Sequence, residues 1–289
     1  MLSRAYKSFL GAINRGSLPS GLQKRVWRWW YQGLAVGWRD RQWTFMNYGW
    51  LPPEDVSPFP LEPADEPDRC FIGLYHLLAS SLDPEGKRVL EVGSGRGGGS
   101  SYLARYHRPD EVVGIDFSAA TVRLARRLNS GVPGLSFQQG DAEKLPFPDG
   151  SFDAVVNVES SHCYGDVPAF LREVERVLRP GGRFGWVDIR GKGMMPATRE
   201  AFTNSRLVPL VEKDITQDVL RALDAMHERK SKLIDSLRLG RAVARQFSAT
   251  KDSALYASLK AGKVCYLCKV LEKPGEEASA GIDGRQKPA

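Results

Sequence analysis

Cysteine is scarce in this chain: its 289 residues hold four, Cys70, Cys163, Cys265 and Cys268. Cys265-Tyr-Leu-Cys268 has metal-ligand spacing, but no second Cys or His pair accompanies it. The surrounding Lys263 to Leu271 reads as a strand, where positions i and i+3 face opposite sides. The pair therefore reads as core thiols, and no metal is expected. Long apolar runs are missing too. No window reaches the roughly 18 apolar residues that a membrane-spanning helix needs. Met1 to Lys7 lacks a continuous apolar segment and a small-residue cleavage site, so no secretory signal is read and the cytoplasm is the expected compartment. Acidic residues are nearly absent from the first 50 positions, which hold Asp40 alone against eight Lys or Arg. That imbalance accounts for the whole net charge of +7. With no basic excess elsewhere, nucleic acid is not an expected partner.

The same 50 positions contain six of the seven tryptophans, Trp27, Trp29, Trp30, Trp38, Trp43 and Trp50. A basic, Trp-rich helix suits a membrane interface, where cations meet anionic headgroups and indoles sit at the boundary. A plainer reading packs the aromatics over a ligand pocket and leaves the charges solvated. Leu51 to Pro67 holds six prolines and reads as a connecting loop. Residues 1–67 thus form an N-terminal arm, helical in parts, plus a Pro-rich loop. Residues 274–289 are polar and Gly-rich and read as a disordered tail.

The richest stretch is Val89-Leu-Glu-Val-Gly-Ser-Gly-Arg-Gly-Gly-Gly99. An apolar run ends in an acid and breaks into glycines, which permit φ > 0 and close approach of a ligand to the backbone. Ser100 to Tyr106 reads as the start of a helix. Strand, glycine turn and helix open a nucleotide-binding α/β domain. Gly93, Gly95 and Gly98 also fit the dinucleotide pattern, so the turn alone does not name the ligand. Glu91 argues against a pyrophosphate, which it would repel, and for a ligand carrying an ammonium group. S-adenosyl-L-methionine (SAM) carries an α-ammonium and a sulfonium and no phosphate. Val112-Val-Gly-Ile-Asp116 ends in an acid able to accept from both ribose hydroxyls. Asp141 is placed to accept from an adenine amino group, and the N–H of Ala142 to serve a ring nitrogen.

Glu91-Val-Gly-Ser-Gly-Arg-Gly97, Asp116, Gly140-Asp-Ala142, Leu145-Pro-Phe147, Phe152-Asp153 and Leu178-Arg-Pro-Gly-Gly182 occur in order. In this they resemble the class I SAM-dependent methyltransferases over about residues 85–190. The resemblance implies a Rossmann-like α/β fold. Its seven-stranded sheet would be mostly parallel, with an antiparallel last strand. Strands are expected near 88–93, 111–116, 134–139, 153–158, 183–189, 207–214 and 263–272. The Pro-Gly-Gly turn would precede the fifth. Residues 68–273 form the expected methyltransferase domain. A helical insertion at about 215–262 would cover a substrate pocket, its long helix starting at an N-cap Thr216 and running to about 247.

Ligands in open α/β sheets bind beyond the carboxyl ends of the strands. Glu159-Ser-Ser-His-Cys-Tyr-Gly-Asp166 follows the fourth strand and falls there. His162 is the candidate base, because its ordinary pKa lies near neutrality. Glu159 is read as orienting His162, binding the acceptor or contacting SAM. Asn47-Tyr-Gly49, Asn157 to Tyr164 and Ala261 to Tyr266 are similar to the phthiotriol/phenolphthiotriol dimycocerosate methyltransferases. That group is related to fatty-acid O-methyltransferases and, more distantly, to sterol C-methyltransferases. The likeness implies O-methylation of a lipophilic alcohol, phenol or acid, with Tyr48 near the cofactor. The cofactor-binding set is then Tyr48, Glu91, Gly93, Gly95, Gly97, Asp116, Phe117, Asp141 and Ala142. Carbon methylation of a sterol-like or quinone-like ring and a non-catalytic SAM-binding role are the competing readings.

Overall fold

Short runs of Val, Ile, Leu and Phe build the sheet. The computed structural model describes residues 44–236 and 248–275. The part of the expected N-terminal arm before residue 44, the stretch 237–247 and the tail from 276 lie outside the described residues. The strands are β1 (Arg88–Val92), β2 (Glu111–Asp116), β3 (Leu135–Gln139), β4 (Phe152–Val158), β5 (Leu178–Gly191), β6 (Val208–Asp214) and β7 (Val264–Glu272). Their spatial order is β3-β2-β1-β4-β5-β7-β6. The first five strands pair in parallel, and β7 runs antiparallel between β5 and β6. Strand order reverses between β1 and β4, which is where such sheets hold their ligands.

Helices α1 (Arg69–Leu82), α2 (Gly98–Tyr106), α3 (Ala119–Leu128), α4 (Val167–Val177), α5 (Met195–Thr203), α6 (Thr216–Ser236) and α7 (Ala254–Lys260) cover the sheet. Alternation along each strand sends Val89 and Val156 to one apolar layer with α1 and α6, and Leu90 and Val155 to another with α4 and α5. Phe45, Trp50 and Phe59 are buried in the first layer, so the residues just before α1 pack onto the domain. Among the described residues, no helix is long and apolar enough to cross a membrane.

Two local expectations are corrected. Thr216 is the first residue of α6 and not its cap. Asp214 Oδ1 accepts the Thr216 N–H at 2.9 Å, while the Thr216 hydroxyl accepts the Tyr266 N–H at 2.9 Å. The Pro-Gly-Gly turn lies within β5: Leu178 pairs with Phe152 and Arg183 with Ala154, so the residues between bulge outward. They are held by Gly181 N–H to Lys273 O and Lys273 N–H to Gly182 O, each 2.8 Å.

Gly99, in the first turn of α2, has no room for a side chain. A Cβ there would sit 1.9 Å from Tyr75 Cε1. Gly99→Ala is expected to lower stability by about 1–3 kcal/mol, the usual cost of overpacking. A urea midpoint unchanged from wild type would refute this.

Candidate active site

The glycine turn is folded by β2. Gly93 and Ser94 both donate N–H groups to Ile115 O, at 2.8 and 3.0 Å. Gly95 N–H donates to Asp116 Oδ2 at 3.1 Å, and Ser118 N–H takes Asp116 Oδ1 at 2.9 Å. Gly93, Gly95 and Gly97 have φ of 79°, 52° and 84°, the left-handed region that glycine enters freely. Gly140 N–H reaches Asp116 O at 3.1 Å, which brings the loop of Asp141 and Ala142 beside the turn. Phe117 is partly exposed next to them. The sequence-predicted cofactor residues of β1, β2 and β3 therefore meet at one end of the sheet.

Glu91 is fully buried. Tyr75 OH donates to Glu91 Oε1 at 2.8 Å, and the Ser100 hydroxyl donates to Oε2. The carboxylate thus ties β1 to α1 and α2. Burial raises its pKa to about 7, against the lowering effect of Ser100 and Tyr75.

A second cluster follows β4. Glu159 takes a positive φ of 46°, unusual for a side chain with a Cβ. Its Oε1 accepts the Tyr48 N–H at 2.8 Å. This bond brings Tyr48 to the loop after β4. Burial lifts the Glu159 pKa to about 7. Next to it, His162 Nδ1 lies 2.7 Å from Asp188 Oδ1. Asp188 Oδ2 accepts the His162 N–H at 2.9 Å and the Ser161 hydroxyl at 2.6 Å. Arg190 pairs with Asp188 at 2.9 Å with both side chains fully buried. Arg190 Nη2 and Trp186 Nε1 also donate to Ser161 Oγ, at 2.6 and 2.9 Å. Burial by itself would lower the His162 pKa. Cys163 and the Asp188 carboxylate reverse the sign and hold it well above the ordinary imidazole value. Arg190 and His162 hold Asp188 far below the usual carboxylate range despite its burial.

The two clusters touch. Asn157 Nδ2 donates to Val92 O at 2.9 Å and to Ser160 Oγ at 2.7 Å, and a Cβ on Gly93 would meet Ser160 Oγ at 2.3 Å. The site also fits SAM on its own geometry. Ser94 Oγ and Asn157 Oδ1 are buried with no hydrogen-bond partner among the described residues. In front of Gly95 a Cβ would touch nothing nearer than Met46 Sδ at 3.5 Å. Unsatisfied polar atoms beside open backbone are what a polar ligand completes.

Sequence reading missed Asp188, Arg190, Tyr75, Ser100 and Tyr266. A signal for the first two existed. Trp186, Asp188 and Arg190 alternate in an otherwise apolar strand and so share one face. Tyr266 brings a buried hydroxyl toward Glu159, and the Glu159 charge adds to burial in raising the Tyr266 pKa.

The raised Glu159 pKa carries a sign that can be measured. Between about pH 4.5 and 7 the unfolded chain releases a proton that the folded site retains, so ionisation there costs stability as pH rises. Glu91 acts in the same sense. Glu159→Gln keeps an acceptor for Tyr48 and removes one of the two groups. The fall in melting temperature from pH 5 to 7.5 is expected to be shallower in this variant. An identical slope would contradict it.

The fold and the glycine turn with its two acids define a class I SAM-dependent methyltransferase. A methyltransferase domain family model matches residues 90–185. The chain is 38% identical over 263 residues to the phthiotriol/phenolphthiotriol dimycocerosates methyltransferase of Mycobacterium leprae, covering 90% of this chain and 94% of that one. It is 40% identical over 258 residues to a fatty-acid O-methyltransferase of Mycolicibacterium smegmatis, covering 88% and 90%. The chain belongs to this family of methyltransferases. Its fold is shared with the geranyl diphosphate C-methyltransferase of Streptomyces coelicolor, solved with S-adenosyl-L-homocysteine. That match has a TM-score of 0.60 and 20% identity over 84% of this chain and 98% of that one. The protein is an enzyme, and SAM is its methyl donor.

Proposed function

We propose that the enzyme transfers the SAM methyl group to a hydroxyl or carboxyl oxygen of a lipophilic small molecule. The observation that carries the reading is the His162 ring, bonded through Nδ1 to buried Asp188 in the loop after β4. SAM supplies a methyl group activated by its sulfonium, and the protein's part is positioning and proton handling. Asp116 would hold the ribose, Asp141 and Ala142 the adenine, and Gly93, Gly95 and Gly97 the backbone approach of the amino-acid end. Phe117 would flank the adenosine, Tyr48 would close over the cofactor, and Glu91 would face the ammonium while bracing the turn. With a hydroxyl acceptor, an O–C bond forms as the S–C bond breaks, and the hydroxyl proton passes to His162. Asp188 stabilises the imidazolium so formed. Glu159, next to both His162 and Tyr48, would contact the acceptor. The lipophilic class is supported by relatives named for dimycocerosates and for fatty acids. The basic, Trp-rich arm favours collecting such substrates at an anionic membrane surface.

The test is a lipid extract incubated with methyl-labelled SAM, followed by mass spectrometry and alkaline hydrolysis of the product. Label on an ether or ester oxygen is the expected result. Label on carbon would replace this reading with the C-methyltransferase one, for which the shared fold of a C-methyltransferase leaves room.

A further inference from the structure

The inner face of α6 is apolar at Val219, Leu223, Met226 and Ile234, all buried. Their spacing continues through position 230, and that position is a lysine. An ammonium on a core-facing stripe loses hydration that a hydrocarbon would not miss. Lys230 is half-buried, with its ammonium beside two aromatic rings. Its Nζ stands 5.9 Å from the Tyr48 ring centroid and 5.4 Å from that of Phe71. It donates one hydrogen bond, to Ser248 O at 3.1 Å. Among the described residues no carboxylate lies within 4 Å of it, and its two other N–H donors have no acceptor.

Tyr48 joins this cation to the active site. Its ring lies beneath Lys230 and its N–H is bonded to Glu159. One residue further on, a Cβ on Gly49 would meet Met226 Cε at 2.9 Å, so α6 presses directly on this segment. Burial draws the Lys230 pKa down to about 8, with the Glu159 and Cys70 charges opposing the fall.

We infer that Lys230 is the acceptor-recognition cation of the site and takes the carboxylate headgroup of a long-chain acid. The inference rests on the O-methyltransferase reading and narrows it from oxygen acceptors in general to carboxylates. A carboxylate offers two oxygens to two unmatched donors, in charge-assisted bonds roughly twice as strong as neutral ones. An alcohol brings no charge to meet the ammonium. The Tyr48 and Phe71 rings beside Lys230 favour an amphiphile whose chain continues over apolar surface. Methyl transfer to such an acceptor needs no proton removal. A carboxylate oxygen forms the O–CH3 bond as the S–C bond breaks, giving a methyl ester and S-adenosylhomocysteine.

The experiment measures binding of laurate and of 1-dodecanol to the full-length enzyme saturated with S-adenosylhomocysteine. Wild type, Lys230→Met and Lys230→Arg are compared by calorimetry, with melting curves to confirm folding. Wild type is expected to prefer laurate. Lys230→Met should weaken laurate at least tenfold and leave dodecanol within about twofold, while Lys230→Arg keeps most of the preference. Lys230→Gln carries the comparison if Lys230→Met does not fold. Equal affinity for the two probes in wild type, or equal losses for both in the variant, would overturn the assignment. A laurate preference that depends on Lys230, in an enzyme whose labelled product carries methyl on carbon, would leave the assignment standing and remove the oxygen reading. Methylation of hydroxyl oxygens with no laurate preference would do the reverse.

Discussion

His162→Ala is expected to reduce turnover of a hydroxyl acceptor by about 10²-fold or more, the usual scale for a positioned proton-transfer group, while SAM affinity stays nearly unchanged. The two halves of this expectation come from different clusters. The groups proposed to hold SAM, Tyr48 apart, are tied to β1, β2 and β3. The His162 ring is tied to β5 through Asp188, at 2.7 Å. Truncating it therefore removes a group on the acceptor side. The raised pKa adds a second signature. The shift favours the protonated ring. A base must first lose that proton, so turnover on a hydroxyl acceptor rises with pH through the raised value. A carboxylate acceptor needs no proton removal, so no such limb is expected with it. With a hydroxyl acceptor the limb should vanish in His162→Ala. Near-normal turnover, or a pH profile that survives the substitution, would return His162 to a packing role.

The parts of this enzyme legible in its sequence are those written as local patterns. Glu91 to Gly97 must be a strand end and a glycine turn, because few other residues enter the left-handed region three times in five positions. β2 and β4 follow from short apolar runs, and the antiparallel β7 from the family likeness. What stayed hidden depends on pairings across long separations. Tyr75 reaches Glu91 from α1, and Tyr48 reaches Glu159 over 111 positions. No local pattern announces such bonds. The Pro-Gly-Gly segment was misplaced for the same reason: whether it ends a helix or bulges inside a strand is decided by Lys273 on the neighbouring chain segment. Lys230 was hidden inside an apolar helical stripe, where a single charge reads as tolerance until its neighbours are known.

Arg190→Met is expected to cost about 3–5 kcal/mol of folding stability, the range for breaking a buried ion pair by removing one partner. Arg190 and Asp188 are both fully enclosed, with 0% of either side chain exposed. Removing the guanidinium leaves Asp188 buried with His162, Ser161 and the Ile189 N–H as its remaining partners, and strips Ser161 Oγ and Thr198 Oγ1 of a donor. The pH dependence has a definite sign. A carboxyl held far below its ordinary value contributes stability above that ordinary value and loses it as pH falls through the depressed one. Without Arg190 the Asp188 pKa rises, so acid unfolding should begin at higher pH than in wild type. The double variant Arg190→Met, Asp188→Leu removes both charges and is expected to recover much of the loss, since the penalty belongs to the orphaned carboxylate. Urea unfolding of the three proteins decides the matter. A loss below about 1 kcal/mol in Arg190→Met, or a double variant no more stable than the single one, would show that Asp188 does not depend on Arg190.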